Sequence, residues 1–382
     1  MKSPLRILHV LNHTCRLNGN VHAAVDLACA QAALGHRVAV CSAGGHFDDV
    51  LARCGVEIVV LDQARRLWTL ARAAARLVRI VRGGRYDVVH AHMMTSALLA
   101  WPACRIADVP LVTTVHNAFQ RSATLMRVGT RVIAVSAAVG RAMALRGVPL
   151  SRLRVVLNGT VGAARLAGRS CEPKRLASPS VLFLGGLHPR KGVADLIAAF
   201  AIVHREHPAA HLTLLGEGPH RADYEAAVAA AGCTGAVTFA GAVDDPHPYL
   251  LGADVFVLPS HADPAPLVLS EAREARCAVV ATAVDGIPEL LEDGAAGLLV
   301  PPRDPGRLAA ALLSLLNDPD ELAAWRRRSQ VNVDRLGIER VARDTLAVYA
   351  ECVRERVDEH EDERRLRRDA ARRKPLEWEL RP

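Results

Sequence analysis

A chain of 382 residues, 51% apolar but only 4% aromatic, is long enough for two ordinary domains with cores of Ala, Val and Leu rather than rings. Its nine cysteines include no C-x-x-C pair and no zinc-like spacing, which excludes a disulfide scaffold and points to a reducing compartment. The net charge of +8 is uneven: residues 1–165 hold 21 Lys/Arg against 7 Asp/Glu and the remainder 27 against 33, so the first half is expected to meet an anionic partner.

In chain order, short apolar runs at 7–11, 38–41, 58–61, 88–90, 111–115, 132–135 and 155–157 read as strands, with Ala-rich stretches of helical period between them, such as 23–34 and 68–81. The first eleven residues contain Lys2 and Arg6 and read as a strand, not a secretory signal. The longest uncharged stretch, 88–104, is broken by two His and a Pro and is too short to span a bilayer. A weakly periodic linker spans 159–178, and the plan then repeats with strands at 181–184, 212–215, 237–240, 255–258, 279–282 and 298–300. Such alternation predicts α/β architecture: two Rossmann-like, doubly wound parallel-sheet domains, at 1–165 and 175–350, facing across a cleft. A closing helix is expected from 340 to about 357, and residues 351–382 form a charged helix and tail with little to bury.

Ligands of open α/β sheets bind where strands end and helices begin. Four such junctions carry suitable residues. Leu17-Asn-Gly-Asn20 follows the first strand, and its Gly19 permits close backbone approach. Thr113-Thr-Val-His-Asn117 sets His116 at a strand end, while His90 and His92 end another as His-Ala-His. No third ligand with suitable spacing accompanies that pair, so a lining or structural role is expected and no metal site. Gly185-Gly-Leu-His-Pro-Arg-Lys191-Gly192 opens the second half with Gly186, Arg190 and Lys191 in a phosphate-cradling loop. Only four of the 48 basic residues are Lys (2, 174, 191 and 374), so a compact ammonium at Lys191 stands out from an Arg background. Last, Asp263 and Glu271 stand eight residues apart around the start of a helix, where carboxylates can accept from sugar or ribose hydroxyls or merely suit the helix dipole.

The ordered set of Gly-rich turn with Lys-Gly, Leu-Leu-Gly-Glu-Gly-Pro, Phe-x-Gly, Ala-Asp-Val-Phe-Val-Leu-Pro-Ser, an acid eight before Glu271, and Gly-Ile-Pro-Glu followed by Gly-Leu-Leu-Val-Pro-Pro resembles the retaining glycosyltransferases of family 4, with the GT-B fold. The first half matches more loosely, through Gly19, Gly35-His36, Val-Val-His-Ala-His, His116, Ser136 and Asn158-Gly159. The resemblance spans roughly residues 5–350. It implies a UDP- or GDP-sugar as co-substrate, with no bound cofactor and no metal. Glu271 would bind the ribose and Asp263 the transferred sugar. Lys191 and Arg190 would carry the diphosphate with the backbone at Leu267 and Val268, and His116 and Gly19 would reach the donor from the first domain. The acceptor would be a cell-envelope or exopolysaccharide glycan or its lipid-linked precursor. Three positions depart from the family: Gly186 for Arg, Asp263 for Glu, and Arg276 for Gly. A nucleotide-sugar epimerase of the same fold and a non-catalytic nucleotide-sugar binder are the alternatives. A nicotinamide dehydrogenase is disfavoured by the lack of G-x-G-x-x-G after the first strand of either half.

Plotted at about 100° per residue, residues 65–82 place Arg65, Arg72, Arg76, Arg79 and Arg82 on one side with Trp68, and Leu67, Leu70, Ala74, Leu77 and Val81 on the other. That pattern suits an anionic membrane surface, and the expected location is cytoplasmic and peripheral. Nucleic acid is not expected, because the basic residues are not interleaved with stacking aromatics and no binding motif appears.

Overall fold

Seven strands, Arg6–Val10 (β1), Arg37–Ser42 (β2), Glu57–Val60 (β3), Val88–Ala91 (β4), Leu111–Val115 (β5), Arg131–Ala134 (β6) and Leu153–Val155 (β7), form one sheet in the order β3-β2-β1-β4-β5-β6-β7. Six more, Ser180–Leu184 (β8), His211–Leu215 (β9), Val237–Gly241 (β10), Val255–Leu258 (β11), Ala278–Thr282 (β12) and Leu298–Val300 (β13), form a second in the order β10-β9-β8-β11-β12-β13. Every pairing is parallel. The computed structural model describes residues 4–16, 18–64, 66–168 and 172–372; Leu17, Arg65, the middle of the expected linker and the last ten residues lie outside them. Each predicted strand is present, with ends that move by a residue or two.

Alternation along the strands sorts the cores. In β1 and β2, Ile7, Val38 and Val40 face one side and Leu8, Val10, Ala39 and Cys41 the other. The first side is covered by Val21, Ala24, Val25 and Ala28 of the helix Gly19–Ala33. In the second domain Phe183, Phe200 and Phe256 are fully buried, so three of the chain's few rings fill that core.

In both sheets strand order reverses at one place, between β1 and β4 and between β8 and β11. The loops after β1, β8 and β11 therefore flank the two switch points. The loop after β1 leads into Gly19 at the start of its helix, and the other two carry Lys191 and Asp263, which is how the topology gathers residues far apart in the chain.

The C-terminal helix differs from the expected boundaries. It runs from Ile338 to Arg372, past the expected end near 357, and it packs on the first sheet. Val341, Ala342, Val348, Tyr349 and Cys352 join the core beside β1 and β4. Arg131 binds Glu351 and Glu355, and Arg154 binds Glu351 at 2.7 Å. Residues 338–352 thus pack with the first domain rather than closing the second. The chain returns beside its outward crossing: Val161 bridges Gly337, and a Cβ on Gly159 would lie 2.3 Å from Leu336 O.

Candidate active site

Lys191 ends a 3-10 turn, Pro189–Lys191, whose N-cap His188 accepts a hydrogen bond from the Arg190 amide. Gly192 follows with φ +68°, and a Cβ there would stand 1.9 Å from Pro259 O. Only glycine lets the loop after β8 press against the loop after β11. Lys191 Nζ thereby donates to Asp263 Oδ2 at 2.5 Å, and Ser260 Oγ donates to the same oxygen at 3.2 Å. Asp263 is buried. Arg190 Nη1 donates to Ala262 O at 2.9 Å, and its guanidinium stacks 4.7 Å from the centre of the Phe119 ring. Phe119 belongs to the loop after β5, so this stacking joins the two domains three residues from His116.

Asp285, in the turn after β12, has a carboxyl raised above its ordinary value by burial and by Asp263, against the pull of Arg190 and the Asp263 amide. Leu267 and Val268 open the helix Leu267–Glu274, whose N-cap is Pro266 with no capping side chain. Among the described residues the amides of Leu267 and Val268 have no hydrogen-bond partner, which suits the binding of an anion. Glu271 lies one turn further and is buried. Its Oε1 accepts from Arg165 Nη2 at 3.0 Å, and Arg165 Nε also binds Asp26 Oδ1 at 3.1 Å. Burial opposes the Arg165 charge, but Asp26 and Glu271 outweigh it and push the guanidinium pKa up.

Gly186 and Gly19 are exposed, with room for a side chain at each. A Cβ on Gly186 would meet only Glu217 O at 3.8 Å, and one on Gly19 would meet no atom within 4 Å. Gly186 therefore leaves room beside the Lys191 loop where a longer side chain fits. Arg276 has φ +61° and is exposed just past the helix Leu267–Glu274. The left-handed backbone there explains why glycine suits the position. Arg276→Gly is expected to raise stability by about 0.5–1 kcal/mol in urea denaturation and leave activity unchanged; loss of activity would place Arg276 in the site after all.

Contacts across the cleft hold the loops in apposition. Ser136 Oγ donates to Pro264 O at 2.7 Å, and Glu289 Oε2 accepts from the Ala137 amide at 2.8 Å. Glu289 thus caps the helix Ala137–Leu145 of the opposite domain. Arg16 binds Asp244 at 2.6 Å on the exposed rim.

His90 and His92 acquire a partner that spacing could not reveal. His9, on β1 next to β4, completes a buried triad with ligand atoms within 4.8 Å of one another. The expectation of no third ring is therefore corrected. Yet every ring nitrogen of the three already has a hydrogen-bond partner in protein. The triad is accounted for as a hydrogen-bonded chain. His9 could have been noticed as a polar residue inside an apolar run. Arg165 offered no signal, because its partners Asp26 and Glu271 are remote in sequence.

Residues 17–161 match the family model described as Glycosyltransferase Family 4, and residues 178–318 match Glycosyl transferases group 1. A glycogen synthase of Mycobacterium tuberculosis is 35% identical over 302 residues, 70% of each chain. The chain belongs to the group 1, family 4 glycosyltransferases. A phosphatidyl-myo-inositol mannosyltransferase of Mycolicibacterium smegmatis is 30% identical over 278 residues, covering 70% of this glycosyltransferase and 71% of the relative. Among solved structures, Anabaena HepE in complex with UDP and glucose superposes with a TM-score of 0.77 at 21% identity, over 91% of this glycosyltransferase and 100% of that chain. The two-domain architecture of this glycosyltransferase is the GT-B fold.

Proposed function

We propose that this glycosyltransferase moves a sugar from a nucleoside-diphosphate sugar, with retention of configuration and without a metal, to a cell-envelope glycan or its lipid-linked precursor. The observation that carries the reading is the Lys191–Asp263 pair at the second switch point, beside the uncapped helix at Leu267. It is one cation and one carboxylate where a sugar diphosphate has need of both. Asp263 accepts from hydroxyls of the transferred sugar. Lys191, Arg190 and the amides of Leu267 and Val268 take up the charge that develops on the departing diphosphate. Glu271 turns its second oxygen to the ribose while Arg165 holds the first. His116 meets the sugar from the first domain, and the open space at Gly19 and Gly186 admits the phosphates.

Retention has the acceptor enter on the face the leaving group vacates. A departing phosphate oxygen takes the acceptor's proton there, so no side chain is assigned as base. Metal independence is supported by the acids themselves, since Asp263 and Glu271 already carry side-chain cations at 2.5 and 3.0 Å. Lys191→Ala is expected to lower turnover about a hundredfold while the fold persists. Thermal shifts with UDP-, GDP- and ADP-sugars come first, because a bound donor raises apparent stability. A flat response to all three would sink the reading; donor conversion with no acceptor present would favour an epimerase instead.

The lipid part of the proposal rests on the helix Leu67–Gly84. Ala73, Leu77 and Val81 are buried against the domain, whereas Arg72, Arg76, Arg79 and Arg82 are exposed. Leu67, expected on the buried side, is 87% exposed beside Trp68 at 82%. An apolar tip next to a basic face suits insertion among anionic headgroups. No helix among the described residues is long and apolar enough to cross a membrane. Binding to phosphatidylglycerol vesicles is expected to weaken at least tenfold in an Arg72/Arg76/Arg79→Glu variant, since each basic residue near an anionic surface contributes about 1 kcal/mol. Equal cosedimentation of the two proteins would exclude this surface.

A further inference from the structure

The buried histidines of the first sheet run in a chain toward His116, and the partners of that chain fix where its protons sit. A neutral imidazole has one N–H and one lone pair, so each hydrogen bond decides the next. Gln31, fully buried on the helix Gly19–Ala33, presents its amide oxygen to His9 Nε2 at 2.8 Å. An amide oxygen only accepts, so His9 Nε2 carries the proton and His9 Nδ1 is bare. His92 Nε2 lies 2.8 Å from that bare nitrogen and must donate to it. His92 Nδ1 is then the acceptor, and His116 Nε2, at 3.4 Å, donates. His116 Nδ1 is left as a lone pair, and among the described residues it has no hydrogen-bond partner.

A side branch anchors the other end. Tyr349, brought by the C-terminal helix, accepts from Gln31 Nε2 at 3.4 Å and donates to His90 Nδ1 at 2.6 Å. His90 Nε2 then donates to Thr114 Oγ1 at 2.7 Å. Burial pushes His9 and His116 down to about 4, and His90 and His92 well below the ordinary imidazole range. All four rings are neutral near pH 7, so their tautomers are what the network can set.

We infer that Gln31 is a positioning residue for the transfer site: through His9 and His92 it holds His116 as the tautomer protonated at Nε2, whose bare Nδ1 accepts from a hydroxyl of the bound sugar. This rests on the sugar-facing role proposed for His116. It explains why a polar chain is kept inside a sheet of Ala, Val and Leu. The protein presents an acceptor, not a donor, where the first domain meets the substrate.

Long-range 15N–1H NMR of the full-length protein reads each tautomer directly, with His9, His92 and His116 assigned from single substitutions. The expected spectrum shows unprotonated Nδ1 on all three. Gln31→Met keeps side-chain length and removes the oxygen. It is expected to mix the tautomers of His116 and to raise KM for the nucleotide-sugar about tenfold, the loss of roughly one hydrogen bond. Affinity for the free nucleoside diphosphate is expected to stay unchanged. His92→Phe cuts the chain with Gln31 intact, and the double variant is expected to be no worse for sugar KM than His92→Phe alone. Protonated Nδ1 on His116 in the unaltered protein, or additive effects in the double variant, would overturn the inference. Tautomers that follow Gln31 while sugar KM does not would instead overturn the role proposed for His116.

Discussion

Arg165→Ala is expected to lower the stability of the protein by about 3–5 kcal/mol in urea denaturation, more than any exposed arginine, and to weaken donor binding as well. The Arg165 side chain is 3% exposed, between Asp26 at 0% and Glu271 at 9%. Thr160 Oγ1 donates to Asp26 and Arg165 Nη2 bonds back to Thr160 at 3.0 Å, so both oxygens of Asp26 and one of Glu271 are held inside the cluster. Removing the guanidinium leaves two buried carboxylates without a cation, and the penalty is that of the orphaned charges, not of the pair itself. Neutralising both acids in the same background, with Asp26→Asn and Glu271→Gln, is therefore expected to restore a good part of the loss. A loss below about 1 kcal/mol for Arg165→Ala would mean that water reaches the cluster and screens it.

The location of the cluster gives that prediction its functional weight. Arg165 lies in the short turn Ala164–Leu166 of the connection between domains, Asp26 on the first helix of one domain and Glu271 on the helix after β11 of the other. One residue thus ties the connection to both sides. Glu271 is held by one oxygen, which orients the carboxylate for the ribose-binding role proposed for it and limits its freedom to turn away.

The architecture could be read in the sequence because its signals are local. Runs such as 255–258 and 111–115 are short, β-branched and bounded by Pro, Ser or polar residues, and the structure keeps those strands unchanged. The Lys191 and Asp263 loops were legible for the same reason: each follows its strand directly. What escaped depends on the return of the chain. The apolar positions 341, 342, 348, 349 and 352 give a helix, but nothing local says which sheet it covers. His9 becomes part of a triad only because β1 pairs with β4, a neighbour more than eighty residues away. The Arg165 cluster needs three remote segments at once, and no spacing encodes that.

The same buried histidines should make the fold fail early in acid. His9 and His116 are pushed from 6.5 down to about 4 by burial, and burial together with neighbouring rings holds His90 and His92 well below 6.5. Their folded-state pKa values lie below the unfolded ones, so above pH 6.5 neither state binds the protons and this contribution to stability is complete. As pH falls from 6.5 toward 4 the unfolded chain takes up protons that the folded chain refuses, and stability drops by about 1.4 kcal/mol per proton per pH unit. Four such groups acting independently amount to roughly 6 kcal/mol between pH 6.5 and pH 5, comparable to the whole stability of an ordinary domain. His22 shifts in the same direction, through burial and then Arg165, and steepens the limb. Glu351, lowered by its hydrogen bond to Arg154, titrates below its ordinary value of 4.5 and so acts outside this window. Urea denaturation across that range, with proton uptake taken from the slope, is expected to give about four protons, falling by at least one in His90→Gln. A slope of one proton or less would mean the rings are charged or hydrated in the folded protein, and the neutral chain that ends at His116 could not then exist.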